Sequence, residues 1–170
     1  MVTLNWFVQG DPTTKGSKVP FHRKDGSLGV REQTEKKQRP WVALLKDAAE
    51  QIFKDADGHA LPPWRGPVEV RLEFYFKRPQ KHFRTGKHAA YLRGDAPLYV
   101  TGRKSDADKL ARCVLDALTG IVYEDDGQVV PLHVDKRYVG LVEGCEWQRQ
   151  GVGVSVREIP DRFTVTIEGE

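Results

Sequence analysis

Val68-Glu69-Val70-Arg71-Leu72-Glu73-Phe74-Tyr75-Phe76 alternates strictly along its length. A period of two puts Val68, Val70, Leu72, Phe74 and Phe76 on one face and Glu69, Arg71, Glu73 and Tyr75 on the other. That is the pattern of a strand buried on one side. Gly66-Pro67 opens it and Arg78-Pro79 follows it. Upstream, Thr3 to Val8 alternates in the same way, and Gln9-Gly10-Asp11-Pro12 ends that strand. A helix begins at Pro40-Trp41, with the proline near its first turn. Trp41, Leu44, Leu45, Ala48, Ala49, Ile52 and Phe53 recur at helical spacing and form its core face, and Asp57-Gly58 stops it. Downstream, a helix is expected from about Ser105 to Leu118, with Leu110, Val114, Leu115 and Leu118 on one face and Gly120 as its stop. Val129 to Val142 and Gly151 to Ile159 read as two further strands, the last pairing back on its predecessor across a Gly-containing turn. The segment 161–170 has strand propensity and no evident partner.

The order β, α, β, α, β, β predicts an α/β (α+β) fold: a single mixed sheet with two main helices packed on it. The 170 residues suit one domain spanning 1–170. Two long basic loops interrupt it, at about 13–39 and 78–104. Hydrophobic residues make up 39% and charged residues 30%, an ordinary globular balance. No apolar run approaches the roughly 18–20 residues that span a bilayer. Met1 to Trp6 lacks the basic and apolar regions of a signal peptide. Cys113 and Cys145 form neither a zinc-type pair nor a disulfide framework, so they are read as reduced. A cytoplasmic protein with no membrane partner is expected.

The net charge of +3 says less than its distribution. Lys77 to Lys104 holds eight Lys or Arg against one acid, Asp95, whereas Ser105 to Asp126 holds six acids against two basic residues. Such juxtaposition suits a metal-dependent nuclease, in which one stretch holds phosphates and the other a cation. A solvated loop followed by an acidic helix end has the same composition.

Ser105-Asp106-Ala107-Asp108 sharpens the choice. Ser105 can cap the helix and Asp108, three residues on, can complete an approximate capping box. Asp also suits the positive end of a helix dipole. Capping alone accounts for both acids. Asp125-Asp126 follows the helix after Ile121-Val122-Tyr123, and if that run returns beside the helix, Asp126 approaches Asp106 and Asp108. Three clustered carboxylates repel, and a bound cation removes the cost. An all-oxygen set selects a hard ion, Mg²⁺ with Mn²⁺ as substitute. Asp125-Asp126-Gly127 is equally a good turn. Arg112, one helical turn after Asp108, is either an ion-pair partner or a cation for the scissile phosphate. Asp116 can pair with Arg112, and Lys136 is either a phosphate ligand or a solvent-exposed strand lysine.

Asp106-Ala107-Asp108-Lys109-Leu110, Leu115-Asp116-Ala117-Leu118, Asp125-Asp126-Gly127-Gln128-Val129 and Lys136 together resemble the signature of the RusA-like Holliday junction resolvases. Val8, Gly10, Pro12, Lys15 and Gly16 resemble that family's N-terminal strand and basic loop more weakly. The resemblance implies a homodimeric, Mg²⁺-dependent endonuclease that nicks branched DNA, with Asp106, Asp108 and Asp126 as metal ligands. The family's catalytic lysine falls on Arg112 and its asparagine on Lys109. Arginine keeps the charge but does not readily give up a proton, so the departure favours phosphate binding at 112.

On this reading Asp106, Asp108, Asp126 and Arg112 carry phosphodiester hydrolysis. Lys15, Lys18, Arg78, Lys81, Arg84, Lys87, Lys109 and Lys136 contact DNA without reading sequence. Tyr91, Phe83 and Trp64 are candidates for stacking on bases at a branch point, with packing the alternative role of Trp64. One set of three acids per chain calls for two chains to nick two strands. The rival readings are a non-catalytic branched-DNA binding protein, a metal nuclease acting on flaps or single strands, and a protein-binding module with a structural acidic turn.

Overall fold

The computed structural model describes residues 2–16, 18–32, 35–102, 105–140 and 149–160. Its elements are β1 (Thr3–Gln9), β2 (Lys18–His22), β3 (Leu28–Glu32), α1 (Glu35–Ile52), β4 (Val68–Phe76), α2 (Ala107–Leu118), β5 (Val129–Tyr138) and β6 (Gly151–Glu158). Four strands form one sheet in the order β1-β6-β4-β5, and β2 and β3 form a separate pair. β4 runs parallel to β5 and antiparallel to β6, and β1 is antiparallel to β6. The sheet is mixed, as expected.

The alternation in β4 has the expected result. Val68, Val70, Leu72 and Phe74 are fully buried, each burial being worth about 2 kcal/mol. Register places Val152, Val154 and Val156 of β6 beside Phe74, Leu72 and Val70, and Trp6 and Val8 of β1 beyond them. Trp41, Leu45, Ala49 and Phe53 of α1 and Leu110, Val114, Ala117 and Leu118 of α2 complete the same core. Both helices therefore cover one face. The other face keeps its charges, with Glu69 meeting Arg157, Arg71 and His133.

Three expectations change. β6 does not pair with β5; it inserts between β1 and β4. A parallel β4–β5 pair requires a crossover, and α2 supplies it, which leaves the far side of β4 for β6. The connection around 13–39 is not structureless, because β2 and β3 form a hairpin closed by an Asp25-Gly26 turn. In that turn Asp25 Oδ1 accepts from the backbone and hydroxyl of Ser27. Helix α1 starts at Glu35, so Pro40 lies inside it and not at its first turn. The added turn contributes Gln38, which is buried with Nε2 3.6 Å from Cys113 Sγ. The expected run of β5 to Val142, Cys145 and the segment 161–170 lie at least partly outside the described residues.

Candidate active site

β4, α2 and β5 form a βαβ unit, so α2 begins at the carboxyl ends of the two parallel strands. Crevices outside the carboxyl ends of strands are where open α/β sheets bind ligands. Asp106 occupies the N-cap position of α2, yet its side chain makes no capping hydrogen bond. Ser105 is buried and its hydroxyl donates to the Gly102 carbonyl at 3.1 Å, so it is not the cap either. The acids are thus not consumed in finishing the helix. Asp106 lies 3.2 Å from Lys109 Nζ, a partly exposed pair that offsets negative charge. Asp108 is exposed in the first turn and Arg112 is exposed one turn on. Neither has a hydrogen bond or ion pair among the described residues. The i, i+4 pair that their spacing allows is not formed there.

Lys136 is half-buried and is not a free strand lysine. Its Nζ donates to the Ser105 carbonyl oxygen at 2.7 Å, tying β5 to the chain just ahead of Asp106.

Asp126 lies at the other end of α2. Tyr123 is fully buried and its hydroxyl donates to the Leu115 carbonyl, while Gly120 N–H donates to the Tyr123 carbonyl at 2.7 Å. These bonds hold Ile121–Tyr123 at the helix end, and the run does not return along α2. Asp125 spends its carboxylate on the turn, accepting from Gly127 N–H at 2.8 Å. Gln128 donates to the carbonyls of Trp64 and Gly66, pinning that turn beside the start of β4. Asp126 is left exposed, without such a bond among the described residues. Burial, then the negative charges of Asp126 and Asp116, raise the pKa of the Tyr123 hydroxyl well above its ordinary value. A twelve-residue helix is about 18 Å long. Asp126 therefore does not join Asp106 and Asp108 within one chain. Among the described residues, the acids and histidines whose ligand atoms all lie within 4.8 Å are Asp55, Asp57 and His59 in the exposed turn after α1. There Asp55 already accepts the backbone N–H groups of Asp57 and His59.

The N-terminal loop is docked on α2. Gly10 lets it cross the Trp41 ring, where an added Cβ would stand 2.7 Å from the ring. Lys15 N–H then donates to the Lys109 carbonyl at 3.1 Å, and Lys15 Nζ pairs with Asp116. Asp116 is thus the partner of Lys15, not of Arg112. Lys18 is exposed on β2.

The connection after β4 is organised around Arg78. This residue is only 8% exposed, unlike its neighbours Lys77 and Lys81. It donates to the carbonyls of Val139 and Pro97 and lies 5.1 Å from the centre of the Tyr138 ring. His82 stacks edge-on against the same ring at 4.9 Å. Arg84 N–H to Tyr91 carbonyl and Arg93 N–H to His82 carbonyl, both 2.9 Å, close a hairpin-like loop. Lys81, Arg84, Lys87 and Tyr91 are exposed on it, and Phe83 is half-buried. Trp64 packs edge-on against Phe53 at 5.4 Å, so packing is its role here. The burial of Arg78, the Lys15–Asp116 pair and the Gln128 staple have no local sequence signal, because each joins segments far apart in the chain.

No helix among the described residues is long and apolar enough to cross a membrane. No curated protein matches the chain. The family model described as endodeoxyribonuclease RusA matches residues 17–144. That range contains the βαβ unit, both ends of α2, all four proposed catalytic residues and Lys136. The chain belongs to the RusA endodeoxyribonuclease family.

Proposed function

We propose that this protein is a divalent-metal-dependent endonuclease that cuts branched DNA, Holliday junctions included, by phosphodiester hydrolysis. The reading treats residues 1–170 as one catalytic domain, working in the cytoplasm as a homodimer. The observation that carries it is the Asp106–Asp108 pair, held at the carboxyl ends of two parallel strands with neither carboxylate engaged in capping. The donor set is all oxygen, exposed or half-buried, and suits Mg²⁺ or Mn²⁺. Such an ion, when bound, polarises the phosphate and lowers the pKa of an attacking water. Asp106 and Asp108 hold it, and Lys109 limits their mutual repulsion. Arg112, unpaired within the described chain, stabilises charge on the phosphoryl oxygens. Lys136 fixes the backbone before Asp106. Lys18, Lys81, Arg84 and Lys87 grip DNA backbones.

The third acid comes from a second copy. Asp126 is a helix length away from Asp106 in its own chain, and a two-fold axis can close that gap. β5 is an edge strand of the sheet, and the segment Leu98–Val100 covers its carboxyl-terminal end. Upstream, Val130 is 68% exposed and Leu132 42%. Antiparallel pairing of two β5 edges buries these side chains. It also carries Asp126 of each copy toward the carboxyl end of the other's β5, where Asp106 and Asp108 stand. The acidic start of the strand then meets the basic Lys136-Arg137 end.

Incubating the protein with a synthetic four-way junction, with and without Mg²⁺, tests the activity. Paired nicks that require the metal are expected. Junction binding without cleavage in either Mg²⁺ or Mn²⁺ refutes catalysis and leaves a branched-DNA binding protein. Sedimentation equilibrium tests the assembly: twice 19.3 kDa is expected, and a monomeric mass with and without junction DNA refutes it.

A further inference from the structure

A cavity of about 430 Å³ opens beyond the carboxyl ends of β4 and β5, lined by Lys77, Arg78, Gln80, Phe83, Val139 and Gln150. Its size falls in the range of small-molecule sites. Among the described residues its lining holds two cations, Lys77 and Arg78, and no acid. Arg78 is buried, and no carboxylate pairs with it among the described residues; its acceptors are two carbonyls and a ring face. Its Nη2 has no hydrogen-bond partner at all among those residues. A buried cation without a counter-charge is costly, and an anion in the neighbouring space offsets that cost. Burial is also the force that lowers the Arg78 pKa.

The remaining lining suits a flat, polar-edged ring. Phe83 offers an aromatic surface and Val139 an apolar one. Gln80 is exposed. Gln150 gives its Nε2 to Asp11 at 2.6 Å, which leaves its carbonyl oxygen as an acceptor. A mononucleotide combines the two demands, a phosphate for Lys77 and Arg78 and a base for Phe83 and the glutamines. Duplex DNA keeps its bases stacked inside, whereas a branch point can release one, and aromatic rings are the general platform for such bases. The cavity lies on the proposed catalytic side of the sheet. Val139 follows Lys136 by three residues, about 10 Å of strand, and Lys136 touches the backbone before Asp106.

We propose that this cavity binds one unstacked nucleotide of branched DNA, a few nucleotides from the phosphate that is cut, and thereby selects branch points over continuous duplex. The proposal rests on the reading of this protein as a nuclease of branched DNA.

The test uses the full chain and four-way junctions that carry a single abasic residue at successive positions around the branch, with binding measured in Ca²⁺. For the wild type, one abasic position is expected to weaken binding about ten-fold, the scale of one base–aromatic stack. Phe83→Ala is expected to bind the intact junction about ten-fold more weakly and to show no further loss at that position. Phe83→Tyr, which keeps the ring, is expected to behave as wild type. An abasic penalty that is the same in wild type and Phe83→Ala overturns the proposal, as does the absence of any sensitive position. Should Phe83→Ala melt early, Lys77→Ala/Gln80→Ala on the exposed rim replaces it. Weaker binding to the junction but not to linear duplex is then expected, and equal weakening on both overturns the proposal. Cleavage by the wild type in Mg²⁺ is measured on the same junctions. A sensitive abasic position without cleavage refutes the nuclease reading alone, and cleavage without one refutes the nucleotide site alone.

Discussion

Lys136 Nζ reaches across from β5 to the carbonyl oxygen of Ser105 at 2.7 Å, so a strand grips the backbone one residue ahead of Asp106. A hydrogen bond from a charged donor is worth about 1.5–3 kcal/mol. Lys136→Met is expected to lower kcat about ten-fold or more through misplacement of Asp106, with KM for the junction little changed. Lys136→Arg is expected to recover part of kcat. A loss confined to KM would make Lys136 a phosphate ligand instead.

Asp106→Asn, Asp108→Asn and Asp126→Asn each remove a charge with little change of volume. Each homodimer is expected to bind junctions and to cut none in Mg²⁺. The separation of Asp126 from Asp106 along α2 adds a sharper expectation. A mixed dimer of Asp106→Asn and Asp126→Asn chains retains one site with all three acids if the site is shared between chains, and should nick one strand. If each site is built within one chain, the mixed dimer is as inactive as its parents. Nicking by co-refolded chains distinguishes the two.

Arg112 has no ion-pair partner among the described residues, so its removal has little structural effect to confuse the assay. Arg112→Ala is expected to lose activity about a hundred-fold, the scale on which transition-state charge stabilisation is felt. Arg112→Lys should retain more, because the charge survives. Equal rates in the two variants would remove Arg112 from the chemistry.

Lys81, Arg84 and Lys87 project from the same exposed loop. Neutralising all three is expected to weaken binding to every DNA alike. The slope of log affinity against log salt should flatten by about 1 for each phosphate that the variant no longer neutralises. An unchanged slope, measured by titration from low to moderate salt, would place the DNA on another surface.

Local patterns carry most of the fold. The period-two run at Val68–Phe76 and the helical face at Leu110–Leu118 are readable because each is set by one element meeting one core. The place of β6 is not, since Gly151–Glu158 is equally suited to pair with β5 or to enter the middle of the sheet, and the parallel crossover decides it. The β2–β3 hairpin carries a signal in Asp25-Gly26 between short alternating runs. Within the candidate site, the placing of Asp106 and Asp108 at a helix start is legible from the sequence, as is the Asp125-Asp126-Gly127 turn. Their separation is not, because nothing in Ile121-Val122-Tyr123 shows that Tyr123 bonds back to Leu115. Arg78 belongs by composition with its exposed neighbours, and only the ring of Tyr138 and two distant carbonyls set it apart.

The central position of β6 also orders events in time. Thr3 pairs with Arg157 and Val68 with Glu158, so β1 and β4 are joined only through a strand made long after both. While the chain is being synthesised, β4, α2 and β5 can assemble as a βαβ unit as soon as Tyr138 has emerged. β1 cannot join the sheet, and Trp6 and Val8 wait without their strand neighbour until Gly151–Glu158 appears. At about 5–20 residues per second the stretch from Tyr138 to Glu158 takes about 1–4 s. During that time the nascent protein shows one finished half and one sticky, incomplete edge. It is then that chaperones have the most to hold, and that an early stop, even one just short of Gly151, leaves β1 no place in the sheet.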